Sequence, residues 1–88
     1  MRHQFVYVYV LRSQRDRGFY VGFTGDLRQR FAEHNAGRVQ STRERVPLEL
    51  IYYEACRHQR DATTREKYLK SSWGKCYLKG RLRNYLTG

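Results

Sequence analysis

The sequence FYVGFTGDLRQRFAEHNAG, from Phe19 to Gly37, predicts a strand that turns directly into a helix. Its first residues are apolar and aromatic, a turn follows at Thr24, and the helix runs from about Asp26 to Asn35. The side chain of Thr24 or Asp26 can cap the helix start, because its oxygen reaches the unpaired amides of the first turn. Gly37 can end the helix, since glycine adopts the left-handed conformation at least cost.

The inward face of this helix combines apolar and polar side chains. Leu27, Phe31 and His34 share one face, at spacings of four and three residues. Arg30 lies beside this stripe, one turn before His34. Because an unpaired buried charge is costly, polar groups directed at a strand that carries Tyr20 indicate a functional site.

The region before this stretch predicts a second strand that pairs with the first. Residues 5–11, FVYVYVL, are apolar on both faces, which is typical of a central strand covered on both sides. The polar segment 13–18 predicts a hairpin loop. In an antiparallel hairpin Tyr20 stands near Tyr7 or Tyr9.

The second half of the chain predicts one strand and two helices. The strand covers residues 48–56, after Pro47, and a helix follows over about residues 61–72 until Gly74 breaks it. The inward stripe of this helix is predicted to be Ala62, Glu66, Leu69 and Trp73. The inward residues of the last helix are predicted to be Tyr77 or Leu78, with Leu82, Tyr85 and Leu86. The order β-β-α-β-α-α predicts one α+β domain over residues 1–88, a small three-stranded antiparallel sheet flanked by helices.

The charge balance favours a polyanionic partner. The chain has 18 lysines and arginines against 8 acidic residues, a formal net charge of +10, and a pI near 10.1. Such a charge is typical of nucleic-acid-binding proteins, although a basic protein that is merely soluble has the same composition. The loop over residues 37–46 is expected to expose its arginines. The cations predicted to contact nucleic acid are Arg38, Arg43, Arg45, Lys67 and Lys70.

Other classes of protein are disfavoured by the cysteines and by the apolar runs. Cys56 and Cys76 are far apart and have no cysteine or histidine at metal-binding spacing, so reduced thiols are expected instead of a zinc site. The run at residues 5–11 is too short and too polar for a signal or membrane segment. A cytoplasmic location without a membrane partner is therefore expected.

Five polar side chains can meet between the helices and the strands, and together they match the needs of phosphodiester cleavage. An arginine can neutralise charge that develops on the phosphate oxygens. One carboxylate with water can hold a hard divalent cation such as Mg²⁺. A phenol can relay a proton if nearby cations lower its pKa from about 10. The five residues are Tyr9, Tyr20, Arg30, His34 and Glu66.

Each of these residues also has a purely structural interpretation. Arg30 and Glu66 can form a buried ion pair that joins two helices. His34 can be a core histidine with satisfied hydrogen bonds, and the tyrosines can be ordinary aromatic core. Gly22, on the same face as Tyr20, leaves space either for close packing of a helix or for a ligand.

The motifs resemble those of the GIY-YIG nuclease domain, found in the excinuclease C subunit and in small stand-alone bacterial proteins. The resemblance covers essentially the whole chain. The segments Tyr7-Val8-Tyr9 and Tyr20-Val21-Gly22 occupy the two strand motifs. The residues that match later family positions are Thr24, Leu27, Arg30, His34 and Glu66.

The resemblance implies a role for each matched residue. Tyr20, with Tyr9, would act on the attacking water, and Arg30 would stabilise the transition state. Glu66 would bind one divalent metal, Mg²⁺ or alternatively Mn²⁺, and His34 would position water or phosphate. Two departures concern the first motif, where Tyr7 and Val8 replace glycine and isoleucine, and Phe23, where some members have a lysine.

The favoured function is thus a metal-dependent DNA endonuclease, and the alternative is a nucleic-acid-binding module that keeps the fold but cleaves poorly or not at all. A third possibility, a basic structural or ribosome-associated protein, leaves an inward Glu66 unexplained. With one domain, substrate choice is expected to come from its own surface or from a protein partner.

Overall fold

A computed structural model describes residues 4–88, which form a three-stranded antiparallel sheet with helices on both faces. The strand order β2-β1-β3 places β1 in the centre, so the predicted fold class and the predicted central strand are confirmed. No helix of this described part has the length and apolar character of a membrane span. The elements are β1 Val6–Ser13, β2 Phe19–Thr24, α1 Leu27–Asn35, a 3-10 turn Arg43–Arg45, β3 Leu48–Cys56, α2 Gln59–Lys70, α3 Ser72–Arg81 and α4 Arg83–Thr87.

The two faces of β1 belong to two different hydrophobic clusters. Val8 and Val10 pack against α2 and α3, whereas Tyr9 and Leu11 pack on the face that α1 covers. The alternation along β1 therefore directs its valines to one face and Tyr9 with Leu11 to the other, as the period of two residues predicts. Neither cysteine is in a disulfide, since Cys56 and Cys76 are both free.

Helix α1 begins and ends where the sequence predicts, with Asp26 as its N-cap. The Asp26 carboxylate accepts a hydrogen bond from the Gln29 amide, while Thr24 accepts one from the amide of Asp26 itself. Gly37 follows the helix with φ of +75°, the left-handed conformation that glycine tolerates best. The Asn35 side chain then exchanges two hydrogen bonds with the backbone of β3, which fixes α1 against the sheet.

The helix predicted over residues 61–72 is wrong at its C-terminal end. Helix α2 stops before Ser71, whose hydroxyl caps α3 by accepting a hydrogen bond from the Gly74 amide. Trp73 consequently lies on α3, with 77% of its surface exposed, and is not part of the core. Gly74 does not break a helix. It is buried inside α3, where a Cβ atom would overlap the carbonyl oxygen of Tyr68.

The C-terminal helix is likewise divided in two. Leu78 on α3 is fully buried, as predicted for one of two candidates, whereas Tyr77 and Tyr85 are exposed to the solvent. Leu82 separates α3 from α4 and packs at the border of the aliphatic cluster.

Candidate active site

Tyr9 occupies the centre of a buried polar cluster. Only 1% of its surface is exposed, and its hydroxyl lies 2.8 Å from Nε2 of His34. His34 is itself fully buried, and its other ring nitrogen, Nδ1, lies 2.8 Å from the hydroxyl oxygen of the fully buried Thr42. The three side chains thus form a hydrogen-bonded row through the interior of the protein.

The donors and acceptors of this row have a consistent assignment. The guanidinium of Arg30 lies close to the Tyr9 hydroxyl and has only N–H donors, so it cannot accept the phenolic proton. The buried O–H of Tyr9 then needs an acceptor, and Nε2 of His34 is within reach. We therefore place the proton of the neutral imidazole on Nδ1, which donates to the oxygen of Thr42.

Burial shifts the titration of both Tyr9 and His34. It raises the pKa of Tyr9 above its ordinary value, although the hydrogen bond from Arg30 opposes this shift. Burial also lowers the pKa of His34 to about 4, and the positive charge of Arg30 adds to the effect. At neutral pH the hydroxyl is therefore protonated and the imidazole uncharged. Arg30 thus acts in the direction that the sequence hypothesis requires, but burial outweighs it and the pKa of Tyr9 is not lowered overall.

Tyr20 lies at the edge of the same cluster, where it is only half-buried. Its ring centroid is 6.4 Å from that of Tyr9 and 5.1 Å from that of His34. Gly22 lies opposite Tyr9 in the β1–β2 pairing, and a Cβ atom there would stand 2.6 Å from the Tyr9 hydroxyl oxygen. The space that Gly22 leaves is therefore occupied by the ring of Tyr9.

Arg30 connects the buried row to the surface. Its side chain is 39% exposed and donates to the carboxylate of Glu33, three residues later on α1, at 3.0 Å. It lines an open cleft of about 630 Å³ together with Thr24, Gly25 and other residues at the start of α1. The side chain therefore presents further N–H groups to the cleft, because a guanidinium has five donors.

Glu66 stands apart from Arg30, and the buried ion pair between the two is absent. Its carboxylate is 15% exposed and pairs with Lys70, one turn later on α2, at 3.0 Å. The negative charge of Glu66 is still close enough to contribute to the raised pKa of Tyr9. Over residues 4–88, no three histidine, cysteine or acidic side chains cluster as metal ligands. A metal ion here would have Glu66 as a single protein carboxylate.

The sequence of the chain matches the profile of a known family. A profile described as the GIY-YIG catalytic domain matches residues 5–80. The chain belongs to the GIY-YIG family. This membership confirms the resemblance seen in the two strand motifs, and with it a place in a superfamily of nucleases.

Bacterial relatives of this GIY-YIG chain have names without an activity. It is 42% identical over 65 residues to a UPF0213 protein of Streptococcus pneumoniae. The aligned region covers 73% of this chain and 65% of that protein. A UPF0213 protein of Clostridium perfringens is 40% identical over 65 residues, covering 73% and 69%. A UPF0213 protein of Lacticaseibacillus paracasei is 42% identical, covering 73% and 72%. The match thus spans about two thirds of these relatives, and no solved structure matches significantly.

The predicted nucleic-acid-binding cations of the GIY-YIG chain differ in their exposure and in whether they form ion pairs. Arg38, Arg43 and Lys67 are exposed, and none of them forms an ion pair with another described residue. Lys70 is 52% exposed but bound to Glu66. The expected exposure of Arg45 is wrong, because its side chain is only 25% exposed and donates two hydrogen bonds to Asp16. It ties the loop to the β1–β2 hairpin turn.

Two residues of the cluster, Glu33 and Thr42, were not predicted from the sequence. Glu33 was detectable, because its spacing of three residues from Arg30 makes the two side chains neighbours on a helix. Thr42 had no such signal. It lies in a polar loop without periodicity, eight residues after its partner His34.

Proposed function

We propose that this GIY-YIG chain is a metal-dependent endonuclease that hydrolyses phosphodiester bonds in DNA. The observation that carries the proposal is the position of Arg30, half-exposed in a cleft and next to the buried Tyr9 hydroxyl. An arginine held in this way is suited to the planar, two-pronged recognition of phosphate oxygens. The carboxylate of Glu33 fixes its orientation from the other side.

Arg30 would stabilise the negative charge that grows on the phosphate in the transition state. Such stabilisation is worth most where water is partly excluded and the donor is already oriented. The structure supports this role, since Glu33 and Tyr9 both restrict the guanidinium before any substrate arrives.

Tyr20 is the better candidate for the residue that acts on the attacking water. Its ring is accessible at the edge of the cluster, whereas Tyr9 is enclosed and is held in its protonated form by burial. Tyr9 would therefore act mainly by positioning Arg30. His34 would be a positioning residue in turn, because it contacts Tyr9 and Thr42 and is closed to the solvent.

Glu66 fits the requirements of a single, largely hydrated divalent cation, Mg²⁺ in preference to Mn²⁺. Magnesium keeps several of its waters and takes one or two protein carboxylates. The present partner of Glu66 is a half-exposed lysine, whose ammonium group can turn to the solvent when a cation binds. When bound, the cation would supply positive charge close to the scissile phosphate.

The proposed substrate is DNA, bound mainly through charge. The free cations Arg38, Arg43 and Lys67 would contact the phosphate backbone, and a protein partner or this surface would provide specificity. We expect the protein to act in the cytoplasm.

The test is a cleavage assay on plasmid, branched and damaged DNA and on RNA, with Mg²⁺, with Mn²⁺ and with EDTA. Wild type should cut DNA only when a divalent cation is present. Glu66→Gln should lose cleavage but keep its fold and its salt-dependent binding, because the carboxylate pairs only with an exposed lysine. Asp61→Asn is the matched control, since it removes an exposed carboxylate from the same helix and should remain active.

The outcomes separate the two candidate functions. Binding without cleavage by wild type, over the whole panel of substrates and cations, would favour the non-catalytic binding module. Equal activity of Glu66→Gln and Asp61→Asn would remove Glu66 from the mechanism.

A further inference from the structure

A second cleft, of about 510 Å³, lies on the other side of the start of α1, between this helix and β3. Its volume is within the range of roughly 300–1,000 Å³ that is typical of ligand pockets. The two clefts meet at the start of α1, because Gly25 and Asp26 line both of them. Side chains that line the second cleft are Tyr7, Leu27, Arg28, Phe31, Leu50 and Tyr53.

This aromatic cleft is directly adjacent to the candidate active site. Tyr9 on the central strand is paired with Gly22 of β2 on one side and with Tyr53 of β3 on the other. Tyr53 therefore lies on the same face of the sheet as Tyr9. The rings of Tyr7 and Tyr53 meet edge to face, with centroids 5.9 Å apart and an interplanar angle of 67°. Tyr53 is 54% exposed, so about half of its surface is open to a partner.

The chemistry of the lining identifies the class of ligand. Nucleobases stack on aromatic side chains without regard to sequence, because every base has a π face. Arg28 at the border of the cleft is a cation that can contact the phosphate of the same nucleotide. The lining combines several aromatic rings with one arginine, which matches a ligand that has one base and one phosphate. A ligand with several acidic groups fits less well, because the lining has few cations.

We propose that this cleft binds an unstacked nucleobase next to the scissile phosphate, so that the preferred substrate contains unpaired nucleotides. This inference rests on the proposed function, because it takes the ligand to be nucleic acid. A strand that crosses the start of α1 would place a phosphate beside Arg30 and a neighbouring base against Tyr53. A base inside a duplex is stacked and paired, so it would have to leave the helix to enter.

The test compares ligands that differ only in their bases. A fluorescent oligothymidylate, its duplex with oligoadenylate and an abasic oligomer of the same length are titrated by anisotropy in EDTA, which prevents cleavage. The wild type should bind the single strand more tightly than the abasic oligomer, on the order of 5- to 150-fold, which is the value of stacking one base. Tyr53→Ala should remove this preference and leave binding of the abasic oligomer unchanged.

Three further variants test whether the aromatic ring of Tyr53 is responsible for this preference. Tyr53→Phe keeps the ring and should keep the preference, while Tyr53→Leu keeps apolar bulk without a π face and should lose it. Trp73→Ala is the matched control, because Trp73 is the most exposed aromatic of those described and lies on α3, outside the cleft. If Trp73→Ala removes the preference and Tyr53→Ala does not, the base binds elsewhere and the proposal is wrong.

Two other results would overturn the proposal without touching the proposed function. The first is equal affinity of wild type for the single strand and the abasic oligomer, in a protein that still cleaves DNA. The second is a dimer in light scattering that Tyr53→Ala converts to monomers, because the cleft would then bind a second copy of the chain. Absence of cleavage with an intact base preference would instead refute the nuclease function alone.

Discussion

The two faces of the central strand β1 are built from different chemistry, although they share one backbone. On one face Val8 and Val10 are fully buried among aliphatic side chains from α2 and α3. On the other face Tyr9 is equally buried but is hydrogen-bonded to a histidine, with a half-exposed arginine beside it. The first arrangement removes apolar area from water and needs no polar partner. The second requires that each buried polar atom be satisfied.

This difference indicates that the aliphatic face of β1 contributes mainly to stability, whereas the tyrosine face supplies the buried polar groups of the candidate site. A polar row through the interior contributes less to folding than an apolar core of the same volume, unless every partner is in place. A fully buried polar row of this kind is what a functional cluster predicts. Substitutions on the two faces should therefore have effects of different kinds, and this contrast can be tested.

The largest expected effect is on the rate of cleavage by Tyr20→Phe. This change removes one hydroxyl and no ring, so packing barely changes. If the hydroxyl handles the proton of the attacking water, the rate should fall on the order of 10²- to 10⁴-fold with DNA affinity nearly unchanged. Single-turnover kinetics at saturating DNA measure this loss.

Tyr9→Phe provides the internal comparison for Tyr20→Phe. It leaves Nε2 of His34 without a partner, so it should cost roughly 1–3 kcal/mol of stability, with a smaller loss of rate. Tyr68→Phe, on the exposed side of α2, should change neither quantity. Full activity of both Tyr9→Phe and Tyr20→Phe would exclude the tyrosine hydroxyls from the mechanism.

The next effect contrasts two leucines that are both fully buried, one on each face. Leu69→Ala on α2 should lower the free energy of unfolding by roughly 2–5 kcal/mol, through lost transfer energy and a cavity. Where the variant is still folded, its cleavage rate should fall less than that of Leu11→Ala, because Leu69 packs in the aliphatic cluster and not in the cluster of Tyr9. Leu11→Ala should cost a similar stability but also slow cleavage, because Leu11 packs with Tyr9 and Tyr20. Urea denaturation and turnover measured together decide this, and equal rates in both variants would contradict the separation of the faces.

The sequence predicts most of the site because its residues follow simple periods. Alternation along β1 and the hairpin loop put Tyr9 and Tyr20 on one face, and the helical spacing directs His34 toward them. The alternative ion pair between Arg30 and Glu66 is not formed. Arg30 has a neighbour on its own helix, Glu33, which is local and needs no tertiary fit, and this neighbour replaces the distant Glu66.

Where the sequence interpretation failed, a local preference overrode an apparent period. The apolar stripe of α2 continues in register to Trp73, but serine favours the N-cap position, and Ser71 starts a new helix there. Thr42 was undetectable for the opposite reason. Its contact with His34 depends on how a loop without periodicity folds back, and no spacing rule describes that.

A smaller effect concerns the pH dependence of stability. The pKa of His34 is about 4 in the folded protein and about 6.5 when unfolded, so the unfolded state binds the extra proton first as pH falls. The stability present above about pH 6.5 should therefore decrease toward pH 4, by about 2 kcal/mol between roughly pH 7 and pH 5. Urea denaturation at the two pH values measures this slope.

His34→Gln supplies the control for this slope. The variant should be less stable at neutral pH, because it disturbs the contacts to Tyr9 and Thr42, but it should lose most of the slope in that window. The carboxylates of Asp16, Glu33 and Glu54 have lowered pKa values and titrate in more acid solution. An unchanged slope in His34→Gln would mean that another group carries the pH dependence.

The smallest effect separates a free surface cation from one that is already paired. Arg43→Ala and Arg45→Ala each lower the net charge of +10 by one, so their long-range effects on DNA are matched. Arg43 is exposed and without an ion pair among the described residues, and its loss should reduce the slope of log affinity against log salt by about 0.9, the value of one phosphate contact. Arg45 is held by Asp16 on the hairpin turn, so its removal should leave the slope nearly unchanged. Equal reductions in the two variants would show that net charge alone governs binding, and that the pairing of Arg45 does not withdraw it from DNA.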